Sequence, residues 1–486
     1  MIGSKITELL KSLSRLELKR FGEFLESPFH NKNKRATALF EIISKYHPEY
    51  DSTELNRQSV YSLVFFDAKS KEYSDSSMRA LTSDLAILCQ KFLANLNFEN
   101  DKFNINERIL REFGERKLSS YFVKYARSIE DVLASRKFEG EDEYFRKFLI
   151  EDLKAANSQF YDNLNLYKSD DLSKASDYLT YFYIIRTIKT LNFYTFQNQY
   201  NIDNSQDAAQ EIINNLDFEK LLEKANSESS EEYKIISLYC AMYRALKNPK
   251  SDELYFDFKK LLNESGHLFS LLECYGLYIS LANCCVSRID LGYEKYNKEC
   301  FDVYKLMIKR NLFKAYPGYL SLSTYTAVVN TGLAVSEFDF LEGFIEEYST
   351  SLNPEYRSSA LNYAKAQLHF KKKEYGKVLE CVSQTETCYA NFKYHLKMLA
   401  LKTYYEMRDY DAFYYASDSF QHFISKNKNV SRHYRVEFGN FIHAIDQLVK
   451  FRQKNNDKYL FKAEQIISEG RAASAAWLKE KLNECE

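Results

Sequence analysis

The residues best suited to chemistry in this chain are its histidines and cysteines, and their spacing matches no known catalytic or metal-binding pattern. Eight histidines are present, and the nearest approach to a metal site is His433 with Glu437, one helical turn apart. Two ligands do not bind zinc, which needs three or four. The adjacent Cys284 and Cys285 lie in an apolar helical segment, where thiols are typical of an inert core. The phosphate-binding and nucleophile-elbow motifs, which depend on glycine, do not occur. We therefore expect no catalytic residue, no cofactor and no metal ion, and predict that the protein is not an enzyme.

Composition favours long helices joined by short polar loops. The chain has 486 residues, more than the ~250 to 300 at which single cores stop growing. It contains only 13 glycines and 5 prolines, so the tight turns of a sheet-rich fold are scarce. Lysine and arginine total 67 against 68 acidic residues, a formal net charge of -1. A balanced charge attracts neither nucleic acid nor an anionic membrane, and neither partner is expected.

The cysteines, the first twenty residues and the most apolar window predict the cellular compartment and whether the chain crosses a membrane. The nine cysteines are odd in number and show no CxxC pair, which argues against a disulfide framework. The first twenty residues are amphipathic and charged, unlike a secretory signal, so we predict a cytoplasmic protein. The most apolar window, residues 177–196, has the length of a membrane span but carries Arg186 and Lys189 at its centre. It is predicted to be a buried helix of a soluble protein.

Helical periodicity recurs along the whole chain. From Met78 to Leu96 the apolar positions step by three or four residues, which predicts one stripe of an amphipathic helix behind an N-cap at Ser74 or Ser76. The least arbitrary domain boundary lies near residues 97–103. We therefore predict an N-terminal helical domain over residues 1–100 and a second helical region over residues 101–486.

Three segments of the second region predict helical hairpins. An acidic residue precedes an aromatic at the start of a new helix at Phe338, Tyr375 and Tyr410, and the separations are 37 (375 minus 338) and 35 (410 minus 375). An apolar side chain follows three residues later in each: Leu341, Val378 and Phe413. A helix should therefore end at residue 373 or 374, where the chain turns back.

These residues resemble the tetratricopeptide repeat family, whose unit is a pair of antiparallel helices of about 34 residues. Glu374-Tyr375 and Asp409-Tyr410 are similar to the turn of that family, and Ala366 to its small packing residue. Val378 and Phe413 replace the family's small residue after the turn, and the closing proline is missing. The resemblance covers residues 320–425 and implies an all-α solenoid of antiparallel hairpins. The segment "GRAASAAWLKEKL", with Trp477, is predicted to close the stack.

The N-terminal segment suggests two further comparisons. Its "LxxLSxxELKRFxxFL" pattern resembles the first two helices of the pyrin branch of the death-fold adaptors, a family that acts through homotypic association. The same segment resembles the start of large, uncharacterised bacterial helical proteins. The Leu-Ser step followed by Glu-Leu-Lys is also what an ordinary N-capped amphipathic helix contains.

The 39 tyrosines suggest where a partner could bind, because tyrosine offers a rigid contact surface with a polar tip. The predicted partner-binding residues are Tyr181, Tyr183, Arg186, Lys189 and Tyr194, since two cations in an apolar window need acceptors or aromatic faces. A basic, aromatic stretch over residues 425–438 is the nearest thing to a nucleic-acid footprint, although lysine-rich loops are usually just solvated. We expect a non-enzymatic scaffold that binds a peptide or a partner protein in a groove. The alternative is a ligand-sensing regulator whose N-terminal helices bind DNA or self-associate.

Overall fold

A computed structural model describes residues 4–66, 72–160, 169–197, 208–228, 230–315, 318–384, 390–426 and 432–485. Within these ranges the regular structure is helical and no strand is formed; an isolated bridge joins Phe138 and Phe269. The predicted all-α class is therefore confirmed. Contacts divide the chain into two units, residues 1–136 with 142–180 and residues 137–141 with 181–486. The domain boundary near residue 100 stays a prediction.

The helices up to residue 197 are α1 (Ser4–Lys11), α2 (Arg15–Glu26), α3 (Lys34–Ile43), α4 (Arg57–Val64), α5 (Asp75–Asn100), α6 (Lys102–Glu115), α7 (Ser119–Ala134), α8 (Glu141–Phe160) and α9 (Ser169–Gln197). The helices beyond it are α10 (Ala208–Asn214), α11 (Phe218–Glu228), α12 (Ser230–Lys247), α13 (Asp252–Ser265), α14 (Leu271–Asp290), α15 (Lys295–Lys309), α16 (Leu322–Ala334), α17 (Phe338–Ser349), α18 (Pro354–Lys371), α19 (Tyr375–Ser383), α20 (Ala390–Met407), α21 (Tyr410–Lys426), α22 (Arg432–Lys454), α23 (Asp457–Ser468) and α24 (Ala475–Asn483).

Helices α1 to α5 enclose a hydrophobic core of their own. Ser14 caps α2 with a reciprocal capping box to Glu17, as its sequence predicts. Along α5 the predicted stripe is buried from Met78 to Phe92, with Leu96 partly buried, and Ser74 caps the helix by accepting from the Ser77 amide. Both local predictions are confirmed. Helices α6, α7 and α8 of the same unit share a second, smaller cluster.

Consecutive helices of the second unit pack against each other along the chain. Helices α17, α19 and α21 begin at Phe338, Tyr375 and Tyr410, as predicted. The apolar residues three positions later, Leu341, Val378 and Phe413, are 0% exposed. Each lies on the same helix face as the aromatic residue that starts its helix, because positions i and i+3 share a face.

The turn between α18 and α19 shows why a helix ends there without proline. Lys373 adopts a left-handed backbone with φ of 60°. The Glu374 amide then donates to the His369 carbonyl at 2.9 Å, which satisfies a helix-end carbonyl in a Schellman arrangement. Ser336 and Arg408 hold the same conformation, with φ of 59° and 58°, at the ends of α16 and α20. The three turns therefore share one backbone conformation.

Contacts also join helices that are not consecutive in the chain. Helix α18 contacts α16 and α20 as well as its partner α19, and α12 contacts α14. Tyr394 of α20 stacks on Phe438 of α22, with ring centroids 5.3 Å apart. Helix α24 packs on both α22 and α23, and its Leu478 is 0% exposed. The C-terminal helix thus packs on the two helices before it, while its role in closing a stack stays a prediction.

Candidate functional site

The predicted partner-binding residues of α9 do not share one surface. Tyr181 is only 2% exposed and belongs to the core, because it lies on the same buried stripe as Ile184, Ile185 and Ile188. Tyr181 therefore presents almost no surface in this structure, and its assignment to a partner surface stays a prediction. Tyr183 is 36% exposed, and the Arg186 side chain is 66% exposed. The side chain of Tyr194 lies outside the described residues.

The two cations of α9 find their acceptors within the chain. Lys189 Nζ lies 2.6 Å from Glu141 Oε2 and 2.6 Å from Glu273 Oε1, and it also lies over the ring of Tyr239. Arg186 contacts the other Glu141 oxygen at 3.2 Å, and the Tyr239 hydroxyl donates to Glu273. Both cations thus have carboxylate acceptors, and Lys189 also has an aromatic face. All of these groups belong to this chain and not to a partner.

This network fixes the ionisation of Glu141. Burial alone would raise the pKa of its carboxyl, but the Lys189 ammonium and the Arg186 guanidinium outweigh burial and lower it. Gly140, with φ of 126°, lets the backbone pass close to these charges, since an added Cβ would lie 3.2 Å from Glu273 Oε2 and 3.3 Å from Lys189 Nζ. Of the predicted residues, Tyr183 and Arg186 retain exposed surface.

A second candidate lies where the first helices of three successive pairs meet. A cavity of about 320 Å³ is bounded by α18, α20, α22 and the segment before α24. Its walls are formed by Tyr363, Gln367, His395, Met398, Leu399, Lys402, Tyr434, Glu437, Phe438, Ala473 and Ser474. Aromatic and aliphatic groups are thus combined with a few polar ones, the usual composition of a ligand site.

Lys402 is the cavity's cation. Its Nζ donates to Ser474 Oγ at 2.7 Å and lies 5.3 Å from the centre of the Trp477 ring. Burial and, to a smaller extent, the Lys371 charge lower the pKa of its ammonium to about 8, although Glu480 opposes the shift. Burial and the Lys402 charge also lower the pKa of His395. Both groups are therefore biased towards their neutral forms.

Ser474 is positioned by an unusual backbone. It has a left-handed conformation with φ of 54° at the start of α24, and the amide of Ala473 donates to the Glu437 carbonyl at 3.1 Å. The Ser474 hydroxyl lies 3.6 Å from Met398 Sδ. The loop before α24 is thus held against α20 and α22, which places its hydroxyl in the cavity wall.

Sequence reasoning missed this cavity. Lys402 and Ser474 are 72 residues apart, and neither belongs to a motif. The available signal was the regular spacing of the predicted hairpins, since α18, α20 and α22 follow one another as their first helices. The basic stretch over residues 425–438 contributes Tyr434, Glu437 and Phe438 to the wall, while its residues 427–431 lie outside the described part.

In the described ranges no group of three histidine, cysteine, aspartate or glutamate side chains is arranged to hold a metal ion. Cys284 and Cys285 are buried, and burial raises the pKa of the Cys284 thiol to about 12. None of the helices described is long and apolar enough to cross a membrane. Comparison with protein-family models, with curated proteins and with solved structures gave no match for this chain.

Proposed function

We propose that the second unit is a solenoid of tetratricopeptide-like hairpins and that it serves as a non-enzymatic scaffold for protein binding. The repeated left-handed turns at Ser336, Lys373 and Arg408 support the repeat, since they recur at 37 and 35 residues (373 minus 336 and 408 minus 373). The packing of α18 on both α16 and α20 supports stacking of one pair on the next.

The observation that carries the binding proposal is the cavity shared by α18, α20 and α22. A row of first helices that leaves space between side chains forms a groove in which an extended peptide or a partner's helix can lie. Tyr363, Tyr434 and Phe438 supply the rigid aromatic surface, and Tyr434 is 42% exposed. In this proposal the partner is a peptide segment of another protein.

Site-specific photocrosslinking tests this proposal. A benzoylphenylalanine in place of Tyr434 samples the groove, and the same group in place of Tyr415 samples a residue of α21 that is 82% exposed. We expect a discrete partner to crosslink from position 434 in cell extract and not from position 415. A synthetic peptide from the crosslinked region should then bind the purified chain. Equal crosslinking from both positions, or a peptide without affinity, would contradict the proposal.

The exposed residues of α9 are tested separately. The double variant Tyr183→Ala, Arg186→Ala removes the two predicted residues of this helix that are most exposed, together with an ion pair to Glu141. If α9 contributes to the same interface, the variant lowers the affinity for that peptide. Unchanged affinity in a stably folded variant would remove α9 from the binding surface and leave the groove in place.

A further inference from the structure

Two lysines flank the Trp477 indole and differ in their partners. Lys481 Nζ lies within 3.1 Å of three carboxylates, those of Glu406, Glu480 and Glu484. Lys402 Nζ, on the cavity side, donates to Ser474 Oγ and has no carboxylate at ion-pair distance among the described residues. The three carboxylates hold Lys481 as a cation. Lys402, in contrast, lines the cavity without a carboxylate counterion at ion-pair distance.

We propose that Lys402 is a nucleophilic amine that takes up a small aldehyde in this cavity as a reversible imine. A desolvated lysine without a counterion is the form of this side chain that attacks carbonyl groups. The volume of about 320 Å³ admits a small molecule beside the amine. The inference concerns covalent binding of a small compound and does not depend on a peptide partner.

The cavity walls define the aldehyde that fits. Tyr434 and Phe438 are stacked with ring centroids 5.9 Å apart, and Tyr363 and Met398 also line the wall, so an aromatic or otherwise flat aldehyde matches. The Gln367 side chain also faces the cavity, and within the described ranges it makes no hydrogen bond to another protein group. It is available to a hydroxyl or carbonyl of the ligand.

The covalent step balances without a further reactant. The nitrogen lone pair of neutral Lys402 forms a C–N bond to the carbonyl carbon, and the carbonyl oxygen becomes a hydroxyl by taking up a proton as the nitrogen loses one. The C–O bond then breaks, and the oxygen leaves as water with the second hydrogen of the amine. Nothing is oxidised or reduced, and added water reverses the step. Ser474 Oγ, 2.7 Å from Nζ, orients the amine.

The charges around Nζ come from four helices. Lys371 of α18 and burial favour the neutral amine, and Glu480 of α24 favours the cation. His395 of α20 and Glu437 of α22 line the same cavity. The balance gives Lys402 a pKa of about 8, while ordinary lysines titrate near 10.4. At pH 7.5 roughly a quarter of Lys402 is then neutral, against about one part in a thousand for a surface lysine.

The test is competitive labelling of the intact protein. Salicylaldehyde at limiting concentration and pH 7.5, with cyanoborohydride to trap the imine, is followed by peptide mass spectrometry. We expect Lys402 to be labelled at least about ten-fold faster than the mean of the other lysines, and Lys481 to be slower than that mean. Labelling of Lys402 at the mean rate would overturn the proposal.

Two controls show whether the fast labelling requires the folded cavity and whether it occurs on Lys402. In 8 M urea the preference for Lys402 should vanish, since it depends on burial in the folded cavity; a preference that survives unfolding would also overturn the proposal. Lys402→Arg keeps a cation but no attacking amine, so the fast labelling phase should disappear. In the matched variant Lys481→Arg that phase should remain, and its loss there would place the reactive amine elsewhere.

Discussion

Arg288 is a fully buried arginine that is held by carbonyl oxygens and aromatic rings. It is 0% exposed, and its guanidinium donates to the carbonyls of Ser251 at 2.7 Å and Cys284 at 2.9 Å. The rings of Tyr255 and Tyr296 lie 5.1 and 5.3 Å from its central carbon. A planar, forked donor suits such a site, and an ammonium does not reproduce it.

We therefore expect Arg288→Lys to destabilise the second unit although the charge is kept. The lysine cannot reach both carbonyls and leaves a desolvated group without a partner, at a cost of about 1 to 3 kcal/mol. The urea midpoint, followed by circular dichroism, measures the change. Arg116→Lys is the control, because that side chain is 70% exposed. An unchanged midpoint for Arg288→Lys would show that a positive charge at this position is sufficient and that the shape of the guanidinium does not matter.

A pH dependence follows from the Glu141 network. The pKa of this carboxyl is lowered in the folded chain, because Lys189 and Arg186 outweigh the effect of burial. Its contribution to stability is thus present above the unfolded pKa of about 4.3 and is lost as the pH falls through the lower, folded value. Glu141→Gln should lower the unfolding free energy by on the order of 1 to 2 kcal/mol at pH 7. That difference should shrink towards pH 3.

Urea titrations at pH 7 and pH 3 measure this difference. Glu99→Gln is the control, since the Glu99 side chain is 60% exposed and its pair with Arg20 is a surface pair. If Glu141→Gln were equally destabilising at both pH values, the missing charge would not be the cause.

At the scale of helices, the contact between α16 and its neighbours depends on one glycine. A Cβ at Gly332 would lie 2.7 Å from Leu341 Cδ2 and 3.0 Å from a ring carbon of Phe301. Gly343 of α17 has no atom within 4 Å of such a Cβ. Side chains of other helices thus lie against the Cβ position of Gly332 and not against that of Gly343.

We expect Gly332→Ala to destabilise the protein by about 1 to 3 kcal/mol, because the core around Leu341 has to shift. Gly343→Ala should stabilise it by about 0.5 to 1 kcal/mol, because alanine favours the helix and meets no obstacle. Thermal unfolding of the two variants beside the parent protein gives both signs. The same sign for both would mean that helix propensity, and not close packing, governs position 332.

The hairpins could be predicted from the sequence because their determinants are local. Phe338, Tyr375 and Tyr410 start helices where an acidic residue and an i+3 apolar residue mark the face to be buried. The left-handed turn residues carried no such signal, since Ser336, Lys373 and Arg408 are not the glycines that φ above zero favours. The burial of Tyr181 beside exposed Tyr183 had no local signal either, because the packing of neighbouring helices decides which face of α9 is buried.

The cavity could not be predicted because its walls come from helices and a loop that are far apart in the sequence. Lys402, Ser474 and Tyr434 come from segments that the sequence does not relate, and their meeting depends on how α20, α22 and the loop before α24 pack. Lysines 402 and 481 likewise look alike in the sequence. Their different partners appear only when α24 is placed against α20.

At the scale of the whole molecule, the proposed solenoid predicts how far the effect of a destabilising substitution extends along the chain. In a stack each pair contacts only its neighbours, so a lesion at one end weakens the nearest pairs and fades with distance. Leu478 of α24 is 0% exposed and belongs to the core shared by α20 to α24. Leu478→Ala should cost about 2 to 5 kcal/mol locally.

Hydrogen exchange measured by mass spectrometry tests this gradient. In Leu478→Ala the amides of α22 and α23 should exchange much faster than in the parent, those of α18 and α19 somewhat faster, and those of α14 and α15 at the parent rate. Phe461→Ala is the matched control, because Phe461 lies on α23 and is 68% exposed. A uniform increase from α12 to α24 would mean that these helices unfold as one globular core, and the groove would then lack the repeating architecture on which its proposed role in binding depends.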